Sequence, residues 1–286
     1  MVRALVSGVS RGTESLVFDG RVPPSQFDAM RAPMMGGTFP FPVKYGYSVV
    51  GESENGGRIF VLHPHQDRFL ASAAMCIPVP DAIPTHRAVL AANMETALNV
   101  CWDAAPLAGE HVLVIGAGVV GLLIASLLAR VPATRVTVAD INPARAALAA
   151  RFGCTFASPE AAPAEQELVV HASASEAGLR LALDRAAFEA RIIEASWYGD
   201  AAPSVPLGEA FHSRRLRVIA SQVGAIAPAM RGRRTHAERL ALALALLDNP
   251  AYDALLEGPT RFDDLPDAMP LILAPGGLCH VITYET

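Results

Sequence analysis

Hydrophobic positions along the chain fall into two textures. Over the first eighty-odd residues, short β-branched runs at 2–9, 47–52 and 58–62 are separated by turn signals: Val22-Pro23-Pro24, Met35-Gly36-Gly37, Phe39-Pro40-Phe41-Pro42 and Asn55-Gly56-Gly57. Short runs punctuated in this way predict a small barrel or an irregular sheet. From Thr85 onward, Ala-rich stretches of helical spacing alternate with compact apolar runs at 112–115, 135–139, 168–171, 191–195 and 216–220. That alternation predicts βαβ crossovers and a doubly wound parallel sheet covered on both faces, an α/β class of fold. A polar, Arg-containing link after Gly224 leads into a predicted helix at 235–247, stopped by Asp248-Asn249-Pro250. The tail returns to strand texture at 278–284, which predicts that it rejoins the first domain. The expected organisation is a β-rich domain built from 1–87 and 233–286, interrupted by an α/β domain at 88–232.

Composition narrows the classes of function. Of 286 residues, 52% are hydrophobic and 18% charged, which excludes general disorder. A formal net charge of -5 argues against a nucleic-acid partner, which would need a broad basic face. The Arg groups at Arg214, Arg215 and Arg217 and at Arg231, Arg233 and Arg234 read as solvated charge. Cys76, Cys101, Cys154 and Cys279 form no C-x-x-C pair and read as apolar thiols of a reducing compartment. No signal peptide is evident at the start, so a cytoplasmic location is expected. The apolar run at 112–129 is long enough for a short membrane span, but its glycine punctuation predicts a strand, a turn and a helix instead.

That punctuation is the strongest chemical signal. The strand is followed by Gly116-x-Gly118-x-x-Gly121, with Val119 and Val120 as candidate cofactor contacts, and by a helical run at 122–130. Gly116 permits a tight strand-to-helix turn, Gly118 lets backbone approach a diphosphate, and Gly121 allows close packing of helix on strand. The helix N-terminus presents free N–H groups to the anion. A second predicted strand ends at Asp140, nineteen residues after Gly121, placed to accept hydrogen bonds from an adenosine ribose. Ile141 and Arg145 follow as further candidate cofactor contacts. A carboxylate at Asp140 attracts a 2′-hydroxyl and repels a 2′-phosphate, so NAD is expected over NADP.

Taken with Ser7-Gly8-Val9-Ser10-Arg11-Gly12-Thr13-Glu14 and Lys44-Tyr45-Gly46-Tyr47-Ser48-Val49-Val50-Gly51, this order of domains resembles the medium-chain dehydrogenase/reductase superfamily. The branch it resembles includes bacteriochlorophyllide a dehydrogenase. The resemblance implies a GroES-like catalytic domain, a Rossmann domain, an active site in the cleft between them, and a homodimer. It also implies that Thr96, Ala172, Ser173, Trp197, Tyr198 and Ser221 border the cofactor. Where zinc-dependent members carry Cys, Gly-His-Glu and a further Cys or acid, this chain has Ser10, Tyr47 and Ala92. Hydroxyls and a methyl do not hold Zn²⁺, so neither a catalytic nor a structural zinc is expected. Compared with the superfamily, the front of the β-rich domain also reads as shortened.

Without a metal, a carbonyl must be polarised by hydrogen-bond donors or a protonated imidazole. Candidates are Ser10, Arg11, Thr13, Tyr47, His63 and His65, the last two flanking Pro64. Glu95, near the start of a predicted helix, is either a proton acceptor or a favourable charge at a helix N-terminus. The expected activity is hydride transfer between NAD(P)(H) and a small alcohol, carbonyl or activated alkene. The alternative is a non-catalytic dinucleotide-binding sensor or assembly protein of the same fold.

Overall fold

The computed structural model describes residues 1–285 and divides into two units: Met1–Glu95 with His236–Thr286, and Thr96–Thr235. The division falls inside one helix, α3, which runs from Ala91 to Ala104.

The first unit opens with β1 (Val2–Val9) and helix α1 (Arg11–Phe18). A minor hairpin follows, of β2 (Gly36–Gly37) and β3 (Val43–Lys44). Then come β4 (Val49–Ser53), β5 (Arg58–Val61), β6 (Arg68–Phe69), β7 (Ile77–Pro78) and helix α2 (Thr85–Ala88), ahead of α3.

The second unit contains β8 (His111–Ile115), α4 (Val119–Leu128), β9 (Arg135–Ala139), α5 (Ala146–Arg151) and β10 (Thr155–Ala157). These are followed by β11 (Gln166–His171), α6 (Glu176–Arg185), β12 (Ala186–Glu194) and β13 (Arg217–Ala220). The chain returns to the first unit through α7 (His236–Leu246), β14 (Leu256–Arg261), α8 (Leu265–Ile272) and β15 (Cys279–Thr283).

In the first unit the tail completes the sheet. The strand order is β14-β15-β1-β4-β5-β7, with β6 also paired to β1. Strand β15 lies antiparallel to β1, Gly8 opposite Val281. The β-branched alternation of β1 places Val2, Ala4 and Val9 in a core with Val49, Val61, Phe69, Ile282 and Tyr284. The pairing with β4 shifts register between Ala4 and Val6, and Ser7, two residues before Val9, is buried and bonds the Tyr284 hydroxyl.

In the second unit all pairings are parallel, in the order β10-β9-β8-β11-β12-β13. The strand order reverses direction at β8 and β11, and ligands of open parallel sheets sit beyond the carboxyl ends at such a point. Leu113, Ile115, Val169, Leu183 and Ile192 form a core on one face of this sheet. The fold class is the α/β class expected from the sequence. The apolar run at 112–129 is a buried strand, a glycine turn and a ten-residue helix. No helix among the described residues is long and apolar enough to cross a membrane.

Candidate functional site

In the second unit the three glycines of the motif adopt distinct geometries. Gly116 has φ +104°, a left-handed conformation that a side chain resists. A Cβ built there would lie 2.9 Å from the Ala172 carbonyl and from the Ser173 nitrogen, so the loop after β11 packs directly on the turn. A Cβ on Gly121 would sit 1.9 Å from the Gly116 carbonyl oxygen. Gly118, by contrast, is exposed at the N-cap of α4, and a Cβ there would meet nothing within 4 Å. The turn is therefore sealed on its inner side and open at Gly118, above the first N–H groups of α4. Such a cradle of backbone donors suits a diphosphate.

Asp140 follows β9 and faces the turn. Its Oδ2 accepts from the Ala117 N–H at 2.6 Å, and its Oδ1 accepts from the Asn142 N–H at 2.8 Å. The carboxylate thus braces the glycine turn as well as offering its remaining lone pairs outward. Ile141 beside it is 87% exposed, an apolar surface that an adenine ring would cover. Arg145 closes a short 3-10 turn that the Asn142 side chain caps through the Ala144 N–H.

Five of the other candidate cofactor contacts, Ala172 among them, lie at the carboxyl ends of β11 to β13. Ser173 and Tyr198 join a network with His171 and Glu194, whereas Trp197 is half-buried in the loop after β12. The Ser221 hydroxyl donates to Asp103 on α3 at 2.6 Å. Thr96, within α3, is half-buried.

The first unit gathers a second group. Ser10 and Thr13, at the start of α1, lie within hydrogen-bonding range of the Tyr47 side chain. The Ser10 N–H donates to Glu14 Oε1 at 2.7 Å, and Asn93 donates to the Ser10 hydroxyl at 3.0 Å. Glu14 is buried and pairs through Oε2 with His65 Nε2 at 2.9 Å. His65 Nδ1 is in turn 2.8 Å from the Ser7 hydroxyl, itself 2.8 Å from the Tyr284 hydroxyl. A continuous chain of exchangeable protons therefore runs Glu14–His65–Ser7–Tyr284. Burial, then the Glu14 charge, holds Tyr47 well above the usual phenol range. Tyr47 thus keeps its proton and can donate a hydrogen bond.

Three residues of this neighbourhood behave differently from the rest. His63, buried, stacks on Phe69 at 3.7 Å between ring centroids and bonds the Pro64 carbonyl, so it is part of the packing. Arg11 donates to the Ile272 and Leu273 carbonyls and ties α1 to α8. The Glu95 carboxylate accepts from Arg239 Nε at 3.0 Å, both side chains being buried. Burial raises the Glu95 carboxyl and the Arg239 charge draws it back.

Spacing did not reveal Glu14, Ser7, Tyr284 or Arg239. Glu14 stands in the motif Arg11-Gly12-Thr13-Glu14, but its partner His65 is 51 positions away, and Arg239 is 144 positions from Glu95. Among the described residues, no group of three or more His, Cys, Asp or Glu side chains is gathered to hold a metal. The donors at the place of the expected ligands are the hydroxyls of Ser10 and Tyr47, and the nearby imidazole and carboxylate are bonded to each other. That donor set does not fit Zn²⁺.

No family model matches the chain. A segment of 77 residues is 38% identical to L-threonine 3-dehydrogenase of Mesorhizobium japonicum, covering 27% of this chain and 22% of that protein. The same enzyme of Rhizobium rhizogenes is 39% identical over an equal length. The match thus spans about a fifth of these curated relatives. Solved structures resemble the whole chain. Galactitol-1-phosphate dehydrogenase of Escherichia coli superposes with a TM-score of 0.74 at 17% identity, covering 99% of this chain and 92% of that one. L-idonate 5-dehydrogenase of E. coli gives 0.74 at 15% identity, covering 99% and 90%. Acetophenone reductase of Geotrichum candidum, solved with NAD, gives 0.73 at 16% identity, covering 99% and 88%. The chain shares the fold of these dehydrogenases, a Rossmann unit with a GroES-like unit.

Proposed function

We propose that the chain is an NAD(P)-dependent oxidoreductase of the medium-chain type that works without zinc on a small alcohol, carbonyl or activated alkene. The observation that carries the reading is the Gly116–Gly121 turn, closed on its inner side, open at Gly118 and braced by Asp140. The fold and the dehydrogenase relatives support it further.

The N–H groups of Val119, Val120 and Gly121 hold the diphosphate, and Asp140 takes the adenosine ribose with Ile141 under the adenine. Ala172, Ser173, Thr96, Trp197, Tyr198 and Ser221 are proposed to border the rest of the dinucleotide. The Asp140 carboxylate favours NAD(H), since a 2′-phosphate would bring like charges together. When bound, the nicotinamide supplies or accepts hydride.

The chain's own residues manage the proton. Tyr47, its proton retained by burial, donates a hydrogen bond to a substrate oxygen and stabilises the charge that develops there. Ser10 and Thr13 fix the phenol. Glu14 and His65, continued through Ser7 and Tyr284, hold a mobile proton behind it. The Glu95–Arg239 pair supports the structural alternative for Glu95 over a proton acceptor.

The test is oxidation of NADH by a panel of aldehydes, ketones and enones, using protein stripped of metal with chelator. Turnover that persists without metal and falls about 100-fold or more in Tyr47→Phe supports the reading. Dinucleotide binding with no turnover of any compound would favour the sensor alternative.

A further inference from the structure

In the second unit His171 and Glu194, which the dehydrogenase chemistry does not use, are bonded to Ser173 and Tyr198, two of the residues proposed to border the dinucleotide. His171, at the end of β11, is completely buried, yet both of its ring nitrogens are bonded. Nδ1 lies 2.7 Å from Glu194 Oε2, at the end of β12, where the parallel register places His171 directly opposite Glu194. Nε2 lies 2.7 Å from the Ser173 hydroxyl. Glu194 is itself held from several sides. The Ser196 N–H donates to Oε1 at 2.8 Å, and the Tyr198 hydroxyl donates to Oε2 at 3.1 Å. Burial pushes the Glu194 carboxyl up, but the His171 bond and charge and the Ser196 contacts outweigh it, and the group ends below the usual range.

The Glu194 carboxylate is an acceptor and takes the hydrogen on Nδ1 of His171. The Nε2 lone pair then faces the Ser173 O–H. Ser173 is half-buried and packs on the first turn of α6: a Cβ at Gly178 would collide with its hydroxyl and would come within 2.7 Å of His171 Nε2. Ser175 caps that helix through the Gly178 N–H at 3.0 Å and touches the Ser173 hydroxyl at 2.9 Å. A hydroxyl bonded to an imidazole, which is oriented by a carboxylate beside a helix N-terminus, has the parts of an activated nucleophile.

We propose that Ser173, His171 and Glu194 form a nucleophilic site that takes acyl groups from small activated esters. His171 Nε2 removes the Ser173 proton as Oγ bonds to the acyl carbon and the carbonyl π pair moves to oxygen. As the pair returns, the bond to the leaving oxygen breaks and that oxygen takes the proton from His171. Water, deprotonated in turn by His171, cleaves the acyl-serine, and the proton returns to Ser173 Oγ. The net reaction is ester plus water to acid plus alcohol, with no oxidant or reductant. It needs no dinucleotide, although Ser173 is also proposed to border one.

The test incubates the full-length protein with p-nitrophenyl acetate and, separately, with phenylmethanesulfonyl fluoride, followed by peptide mapping. Wild type is expected to give a burst of p-nitrophenolate and an adduct on Ser173. Both are lost in Ser173→Ala, which removes a single oxygen, and in His171→Gln the reaction is at least about 100-fold slower. In Glu194→Gln the rate falls and the pH midpoint of labelling moves down, a shift that a purely structural role would not produce. Circular dichroism identifies variants that fold. A folded wild type with no adduct on Ser173, or a Ser173→Ala protein that hydrolyses the ester as fast as wild type, would overturn the proposal.

Discussion

Two single-methyl substitutions separate the structural role of the glycine turn from its proposed role in binding. In Gly121→Ala the new Cβ meets the Gly116 carbonyl oxygen at 1.9 Å, and no rotamer can relieve a backbone clash. Helix α4 or the turn must shift by more than an ångström to reach ordinary contact. Overpacking of that kind costs roughly 1–3 kcal/mol, and it also displaces the N–H groups at the head of the helix. In Gly118→Ala the methyl enters open space, at a φ of -75° that any residue accepts. The only folding penalty is a poorer N-cap, within about 1 kcal/mol. If a diphosphate approaches the backbone at Gly118, that same methyl occupies the ligand's place. The assay is thermal unfolding of each variant beside a fluorescence titration with NADH. Gly121→Ala is expected to lose both stability and binding. Gly118→Ala is expected to melt close to wild type and bind about 10-fold or more weakly, or roughly 1.4 kcal/mol. A Gly118→Ala protein that binds NADH as tightly as wild type would refute the cradle.

Asp140→Asn puts an amide where two backbone N–H groups need an acceptor, so about 1–3 kcal/mol of stability is lost along with preference for NADH, read by melting and by NADPH titration. Arg239→Ala leaves the buried Glu95 carboxylate unpaired and is expected to destabilise the first unit by about 3–5 kcal/mol in denaturant unfolding. Asp253 accepts two hydrogen bonds from the Arg87 guanidinium, each 2.7 Å, and these outweigh burial to hold its carboxyl below the ordinary value. A depressed folded-state value gives stability that is complete above the unfolded carboxylate range near pH ~4 and lost as pH falls through the folded one. Melting temperature in acid should therefore decline less steeply in Asp253→Asn than in wild type.

How far the chain could be read beforehand follows from the range of each interaction. The strand, turn and helix around Gly116 were legible because all their determinants are local. The tail's change of texture is legible in the sequence, and β15 pairs with β1. Among the strand segments that the pattern does not mark, the first half of β12 and the whole of β14 have identifiable reasons. The first half of β12, Ala186-Ala-Phe-Glu-Ala190, has helix-like composition and follows α6 with no turn residue. Only Ala186 of this segment pairs with β11, and the following residues form a bulge with Glu189 at φ +58°. Strand β14 contains Pro259, which argues against a strand, yet it is an edge strand whose register shifts there.

The site shows the same division. The chemistry of Ser10, Thr13, Tyr47 and His65 marks them as candidates, and the structure brings them to one neighbourhood. Glu14, which organises them, stood in the quoted motif without a role, because its partner arrives by tertiary folding. His171 and Glu194 fall within the predicted strands at 168–171 and 191–195, but their pairing depends on parallel register, which no local pattern encodes.

The measurement that tests the central claim most directly is calorimetric titration of the wild-type protein with NADH and with NADPH. Saturable binding of NADH at one site per chain, tighter than that of NADPH, is the predicted result. Absence of heat or saturation with either dinucleotide, from protein shown to be folded, would contradict the claim that the Gly116–Gly121 turn is a working nucleotide cradle.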